Sequence, residues 1–585
     1  MKSNHYYLEM RLAFYSDERD RMLTKSLGEI AEVLCCSTKN AKRILTKLED
    51  NQSIIYSRGR GRGNKSTITF TCSLEHYLKS QLKSYIKEEK FEEALALLKM
   101  PIPASFKESL TEKLHRHVNS LSSQQSLDVI RTSLKRPLSS MDPAFVSIST
   151  ESHIVKQVFD TLVIFNDKTS TIEPHLAHTW EYHEEQNIWT FYIRKGIKFH
   201  NGKSLTSEDI AYSFTRLREI DSPNKWLMED VISIQTPTPY VVHIILNKKN
   251  TLFLHYLCAS NASILPAGQG FDQSKIIGSG PFFIKSFNEH GLILGAFDSY
   301  FKERAFIDRI EFWYIPVQEK VDIHYELPGN EATHEQLREL SVPEVGCTYI
   351  GFNFKKTGIV RDLYFRKAIF ELLDSKALID ELGKELKLPA SSFFPWISRQ
   401  DNIRKSLEQA KEYLQKSSYH GETLYLYFFD MKDSSEDASW FQKRCRFLGI
   451  HVELRPFSIQ HFYEETETES ADLILMGEIF QPDIDFSFTA AFKNSSCFIN
   501  RFLTEPYRHM ADEKVNQFIS EHSLEKRRLL MREIEEWIMQ EHLFIFNYHS
   551  DRMKRYHGLL EGVSINSFGW ADFRDIWIKP PLQLT

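Results

Sequence analysis

The stretch Ser26-Leu27-Gly28-Glu29-Ile30-Ala31-Glu32-Val33-Leu34-Cys35-Cys36-Ser37-Thr38-Lys39-Asn40-Ala41-Lys42-Arg43-Ile44-Leu45-Thr46-Lys47-Leu48 decides how the front of this chain folds. Ser26 and Glu29 form an S-x-x-E capping box, in which each side chain satisfies a backbone amide that a new helix would leave unpaired. Leu27, Ile30, Ala31 and Leu34 recur at i, i+3, i+4 and i+7, so one apolar stripe is predicted on a short helix ending near Leu34. Cys35-Cys36-Ser37 is a tight connection with Ser37 as a second N-cap, and Ala41, Ile44, Leu45 and Leu48 repeat the stripe on the next helix. Two short helices three residues apart spell a helix-turn-helix.

Off that second stripe, Lys39, Asn40, Lys42, Arg43 and Lys47 leave a face rich in hydrogen-bond donors, with Ser37 and Thr38 at the helix start. Lys and Arg neutralise phosphates or reach guanine edges, and Asn pairs with adenine, once such a helix enters the major groove. Ser53–Ser57 and Thr67–Thr71 are β-prone runs flanking Arg58-Gly59-Arg60-Gly61-Arg62-Gly63-Asn64-Lys65. The glycines let this tip lie close to a sugar-phosphate backbone while Arg58, Arg60, Arg62 and Lys65 supply charge, which predicts a wing. Double-stranded DNA is the expected partner. The alternative is a winged-helix module for protein contacts with a merely basic face. The Cys35-Cys36 pair has either a redox role or a packing role, and the sequence leaves both open.

The charge distribution agrees with a split molecule. Net charge over 585 residues is −6, yet residues 1–120 hold 21 Lys/Arg against 15 Asp/Glu, and residues 36–66 alone carry eight against two. All of the front's positive excess sits on the predicted helix and wing, a footprint suited to phosphates. Hydrophobic residues at 42% and charged residues at 26% exclude wholesale disorder. The opening residues are interrupted by Glu9 and Arg11 before an apolar signal region develops, and no run of eighteen apolar residues follows. Seven cysteines without a C-x-x-C pair indicate neither a disulfide framework nor a cysteine zinc site. Cytoplasmic localisation without membrane contact is expected.

Residues 74–118 alternate Lys/Glu with Leu, Ile, Tyr and Phe at helical spacing and read as accessory helices, and the polar run 119–126 reads as a linker. From Leu127, strand-like runs such as Trp189–Ile193 alternate with helical stretches at Ser207–Leu217, Ala438–Leu448 and Ser523–Trp537, which indicates α/β architecture. About 460 residues exceed one hydrophobic core, so two lobes with a ligand cleft between them are expected.

Several phrases here resemble the peptide- and nickel-type extracytoplasmic solute-binding proteins of ABC importers. They are Leu138–Ala144, Val155–Val163, Ile172–Trp180, Trp189–Ile210, Ile277–Phe282, Phe352–Phe354 and Arg366–Ile369. A winged helix in front of such a fold is similar to the SgrR family of bacterial transcription regulators, and Leu27–Arg43 also resembles that family's N-terminal domain. The resemblance implies an α/β chain: an N-terminal winged helix-turn-helix domain with accessory helices (1–118), a linker (119–126) and a two-lobed periplasmic-binding-protein-like (type II) domain (127–585). Lobe 1 is expected at about 127–325 and 505–585, and lobe 2 at about 326–504. It further implies a cytoplasmic sensor whose cleft closes on a small-molecule effector and alters promoter binding. The effector class stays open among sugar, sugar phosphate, peptide and related metabolites, with a cytoplasmic solute-binding protein as the alternative reading.

Candidate ligand-binding residues are Asp142, Asn353, Trp396, Glu478 and Asp483. Met476–Asp483 falls where peptide binders carry an acidic phrase that receives the peptide's amino group, and that phrase is degraded here, leaving Glu478 or Asp483 to substitute. Trp396 is a candidate wall for stacking, with core packing as the alternative. Between Trp313 and Tyr349 the chain is shorter than the transport proteins, which predicts a different lobe connection. Gly202-Lys203-Ser204 lacks the first glycine of a P-loop, and the pairs His175/His178 and His115/His117 lack a third ligand. No nucleophile elbow is present, so neither an enzyme nor a cofactor is expected.

Overall fold

The computed structural model describes residues 2–59, 65–88, 90–118, 127–134, 136–315, 323–325, 327, 337–384, 386–399, 404–462, 464–566 and 569–580. The predicted linker 119–126 and the wing-tip residues Arg60 and Arg62 lie outside them.

The front of the chain folds as α1 (Lys2–Ala13), β1 (Met22–Lys25), α2 (Leu27–Val33), α3 (Thr38–Asp50), β2 (Ile54–Ser57) and β3 (Ser66–Phe70), with sheet order β1-β3-β2. Tyr7, Met10, Leu23, Ile30, Leu34, Leu45, Ile68 and Phe70 fill one small core between helices and sheet. Arg11 is fully buried beneath it, gripped by Glu18 at 2.6 and 2.9 Å and by the Tyr7 hydroxyl at 2.8 Å. A buried guanidinium is tolerated only with such complete pairing.

Three helices follow, α4 (Leu74–Lys87), α5 (Phe91–Lys99) and α6 (Ala104–Val118). Their apolar faces close on each other and on Trp313 and Ile315, which come from the large domain. The accessory helices are therefore packed onto that domain's body. Lys99 reaches the Glu289 carbonyl at 3.2 Å and Asn288 Nδ2 donates to Glu92 at 2.9 Å at the rim of the contact.

The large domain holds a four-stranded sheet of Phe282–Asn288, Gly291–Ala296, Arg309–Tyr314 and Val129–Leu134, the last pair parallel and the others antiparallel. A second four-stranded sheet runs Ala177–His183, Ile188–Ile193, Val241–Leu246 and Val231–Thr238, all antiparallel. Together they make the first lobe. The second lobe is a five-stranded mixed sheet ordered His451–Phe457, Thr423–Phe429, Leu473–Ile479, Gly346–Phe352 and Phe544–Phe546, flanked by helices.

That last strand corrects the expected lobe boundaries. Phe544–Phe546 pairs with Gly346–Phe352, and helix Glu505–Ser520 packs on helix Ile484–Lys493, so 505–546 goes with the second lobe rather than the first. The chain returns through the long strand Tyr548–His557, which pairs with Leu337–Pro343, Ile323–Tyr325 and Lys387–Pro389. This ribbon is the lobe connection.

Candidate functional site

Two surfaces take shape, one on each domain. On the front domain the capping box forms as read: Ser26 N–H donates to Glu29 at 2.8 Å and Glu29 N–H to Ser26 Oγ at 3.2 Å. The turn is closed by Cys36 N–H on the Ala31 carbonyl and Cys35 N–H on Glu32, with Cys35 in the left-handed region at φ 45°. This is a Schellman-type helix stop in which Cys35 occupies the position usually given to glycine. Ser37 Oγ then accepts from Asn40 N–H at 3.3 Å and starts α3.

Along α3, Ala41, Ile44, Leu45 and Leu48 are buried, while Ser37, Thr38, Lys39, Asn40, Lys42, Arg43 and Lys47 are all exposed. Among the described residues none of the four cations on this face has a carboxylate partner within 4 Å. Arg58 and Lys65 are exposed at the root of the β2–β3 hairpin, with the Arg58 guanidinium 5.8 Å from the centre of the Tyr56 ring. A free cationic helix face beside a cationic hairpin is the geometry that grips a phosphate backbone and reaches base edges.

The second surface is the gap between lobes. Helix Ser149–Val158 presents Lys156, whose Nζ donates to Gln481 Oε1 of the second lobe at 3.1 Å. The Lys156 ammonium is exposed at this bridge, with Asp167, Cys258, Asp483 and Asp572 near enough to favour its charged form. His255 Nδ1 meets Asp483 at 2.7 Å from the opposite lobe. Farther along, Asn494 bonds Asn224 at 2.9 Å, Ser496 bonds Ser147 at 3.0 Å, and the Trp226 and Phe486 rings stack at 5.9 Å.

The five residues expected to bind ligand fare differently. Asp142 is committed within the first lobe: it is buried, caps Ala144 N–H and holds Arg216 through two hydrogen bonds, at 3.0 and 2.5 Å. Asn353 is equally committed, donating to the Ala471 carbonyl at 3.0 Å and accepting from Lys355 N–H. Both motif positions serve local structure, because a short polar side chain beside free backbone groups is satisfied there first. Glu478 is tucked against Cys497, whose Sγ donates to it at 3.1 Å, and burial raises its carboxyl to about 7. Asp483 caps helix Ile484–Lys493 by accepting from Phe486 N–H while its other oxygen takes His255. Trp396 is 48% exposed and stacks on Phe394, which in turn packs on Phe480 beside Gln481. Lys156, His255 and Gln481 were missed in the sequence, since nothing local marks a residue that meets its partner across a gap.

His175, set aside as a metal ligand, hydrogen-bonds Asp160 at 2.7 Å, and Asp160 also accepts from Ser279 and Tyr300. The side chains of His115 and His117 fall outside the described residues. Among the described residues one trio, the exposed His461 and Glu464 with the half-buried Glu467, has ligand atoms within 4.8 Å of one another. Among the described residues no helix is long and apolar enough to cross a membrane.

A winged helix-turn-helix docked on a two-lobed α/β domain defines a class in which a solute-binding fold is joined to a nucleic-acid-reading module. The chain belongs to the bacterial extracellular solute-binding proteins of family 5, whose middle region it matches over residues 171–498, and residues 2–120 match the sugar transport-related sRNA regulator N-terminal family. It has the domain organisation of the SgrR regulators. It is 32% identical to YhjP of Bacillus subtilis strain 168, over 96% of this chain and 97% of that one. It is 25% identical to the HTH-type transcriptional regulator SgrR of Yersinia enterocolitica, over 95% of both. Among solved structures, the Escherichia coli murein tripeptide binding protein MppA matches with TM-score 0.66 at 20% identity, covering 78% of this chain and 99% of that one. The Bacillus subtilis oligopeptide-binding protein AppA matches with TM-score 0.65 at 17% identity, covering 78% and 100%. At these identities the structural likeness establishes the fold.

Proposed function

We propose that this chain is a ligand-responsive DNA-binding transcriptional regulator that works in the bacterial cytoplasm. The observation that carries the reading is the unpaired cationic face of α3, with Lys39, Lys42, Arg43 and Lys47 exposed beside the Arg58 and Lys65 hairpin. Ser37, Thr38, Lys39, Asn40, Lys42, Arg43 and Lys47 read bases and adjacent phosphates, and the wing cations Arg58, Arg60, Arg62 and Lys65 hold the backbone. Its relatives named SgrR support the reading.

In the large domain a small solute binds between the lobes, near Lys156, Gln481 and the Trp396 face, and no turnover is involved. Asp483 acts there as a lobe-closing group before it acts as a ligand contact, since His255 already holds it, and Glu478 is held within the second lobe by Cys497. The effector acts through its different affinity for the two lobe arrangements. Genomic pull-down with the full chain, with and without metabolite extract, tests this. A few enriched promoters whose recovery changes with extract are expected. Uniform recovery of all fragments under every condition would overturn the assignment.

A further inference from the structure

The last turn of α3 carries two carboxylates, the exposed Asp50 and Glu49, where electrostatics gives no reason for either. A helix C-terminus disfavours negative charge. The same helix offers four unpaired cations to phosphate, so an acid on it opposes binding of a polyanion. Glu49 is half-buried and directed elsewhere: its Oε1 accepts the backbone N–H of Tyr56 at 3.0 Å.

Tyr56 lies in β2, the outer strand of the β1-β3-β2 sheet, in register with Ile68 of β3. Edge strands have backbone groups without a ladder partner, and this one is taken by a side chain from α3. Two residues on, Arg58 lies over the Tyr56 ring, and β2 and β3 lead into the basic tip. Beside the core shared by Leu45, Leu48, Ile54 and Tyr56, this hydrogen bond ties the last turn of the helix to the strand that carries the wing. A carboxylate acceptor makes that bond stronger than a neutral one.

We propose that Glu49 is a positioning residue for DNA binding: by accepting the Tyr56 N–H it fixes the distance between α3 and the wing so that both engage one duplex together. The proposal rests on the DNA-binding reading of this domain. Removing the acceptor loosens the outer edge of β2 against the helix, so wing–phosphate contacts are made at an added entropic cost.

The test separates charge from hydrogen bond. Binding of a fluorescein-labelled duplex of fixed sequence is titrated over a salt series with the unsubstituted chain, Glu49→Gln, Glu49→Ala and Glu49→Asp. Gln keeps an acceptor and loses the repulsive charge, so it should bind at least as tightly as the unsubstituted chain. Ala should bind about 5- to 10-fold more weakly than Gln, the loss of one hydrogen bond's net worth. Its slope of log affinity on log salt should be shallower by about one phosphate contact or more. Asp keeps the charge but is one methylene too short, so it should also show the shallower slope; it carries the test if Ala fails to fold. Equal affinity and slope for Gln against Ala and Asp would overturn the proposal. Failure of the unsubstituted chain to bind any duplex at low salt is a different result, which overturns the DNA-binding reading itself and the proposal with it.

Discussion

His255 Nδ1 lies 2.7 Å from an Asp483 carboxylate oxygen, and the two residues stand on opposite lobes. Asp483 also accepts from Phe486 N–H, so both of its carboxylate oxygens are taken by the protein's own groups. Lys156 and Gln481 make a second bridge nearby. The lobes are thus drawn together by the chain's own side chains.

Breaking that pair should loosen closure. A double-mutant cycle of His255→Ala and Asp483→Asn isolates the pair, because Asn keeps the oxygen that caps Phe486 N–H. Both side chains are largely buried, and a coupling of about 1–3 kcal/mol is expected from urea unfolding of the four proteins. Small-angle scattering should show a larger radius for either single variant. Strictly additive effects would mean the contact is incidental.

Glu478 makes stability depend on pH in the direction opposite to most acids. Burial raises its folded carboxyl to about 7 from an ordinary value of 4.5. Between those values the folded state holds a proton that the unfolded state has released. Stability from this group is therefore fully present below about pH 4.5, falls as pH rises towards 7, and stays low above it. The loss is on the order of 1–3 kcal/mol. Glu478→Gln should lose less stability than the unsubstituted chain between pH 5 and 8, measured as the shift in urea midpoint. An identical shift in both proteins would refute the assignment.

The charge on α3 predicts a graded electrostatic response. Lys47→Ala should weaken duplex binding about equally across sequences and lower the salt slope by about 1. Arg43→Ala, nearer the start of the helix, should also cost about 1–3 kcal/mol of discrimination between operator and unrelated duplex if it reaches a base. Gel-shift titration at several salt concentrations reads both. Unchanged binding in either variant would remove that residue from the interface.

Much of the reader domain was legible because its signals are local. The capping box at Ser26 and Glu29 and the stripe Ala41, Ile44, Leu45, Leu48 concern residues at most seven apart, and both form as read. The two-lobed fold was legible from longer motif phrases. The contacts between the lobes were not, for a physical reason. Asp142 and Asn353 stand in recognisable phrases, yet Arg216 and the Ala471 carbonyl claim them, and those partners lie 74 and 118 residues away. Phe544–Phe546 pairs with Gly346–Phe352 over some 200 residues, and such a pairing leaves no local trace.

Cys35 holds a left-handed conformation at φ 45° in the turn between α2 and α3. A side chain there costs about 1 kcal/mol that glycine avoids. Cys35→Gly should therefore raise the melting temperature of the reader domain, while Cys35→Val, branched at Cβ, should lower it. DNA affinity measured under reducing conditions should be the same for Cys35→Gly as for the unsubstituted chain. A lower melting temperature for the glycine variant would show that the thiol contributes something beyond the turn.

Trp313, with Ile315 and Ile293, joins the accessory helices and the first lobe in one core. Its ring is 7% exposed and packs with Leu78, Leu82, Leu110 and Leu114 of the accessory helices, while its indole N–H reaches Glu311 at 3.3 Å. Exposed pairs such as Lys99 with Glu289 add little at the rim, so apolar burial carries the docking. Trp313→Ala should cost about 3–5 kcal/mol in total stability. The loss should be local, because the core around Tyr7, Ile30 and Phe70 makes no use of this ring. Hydrogen exchange should rise sharply across α4–α6 and along Arg309–Tyr314, with α2 and α3 still protected. If docking couples the lobes to the operator, the variant should bind DNA but lose its response to metabolite extract. Retention of that response with α4–α6 unprotected would show that the signal travels by another route.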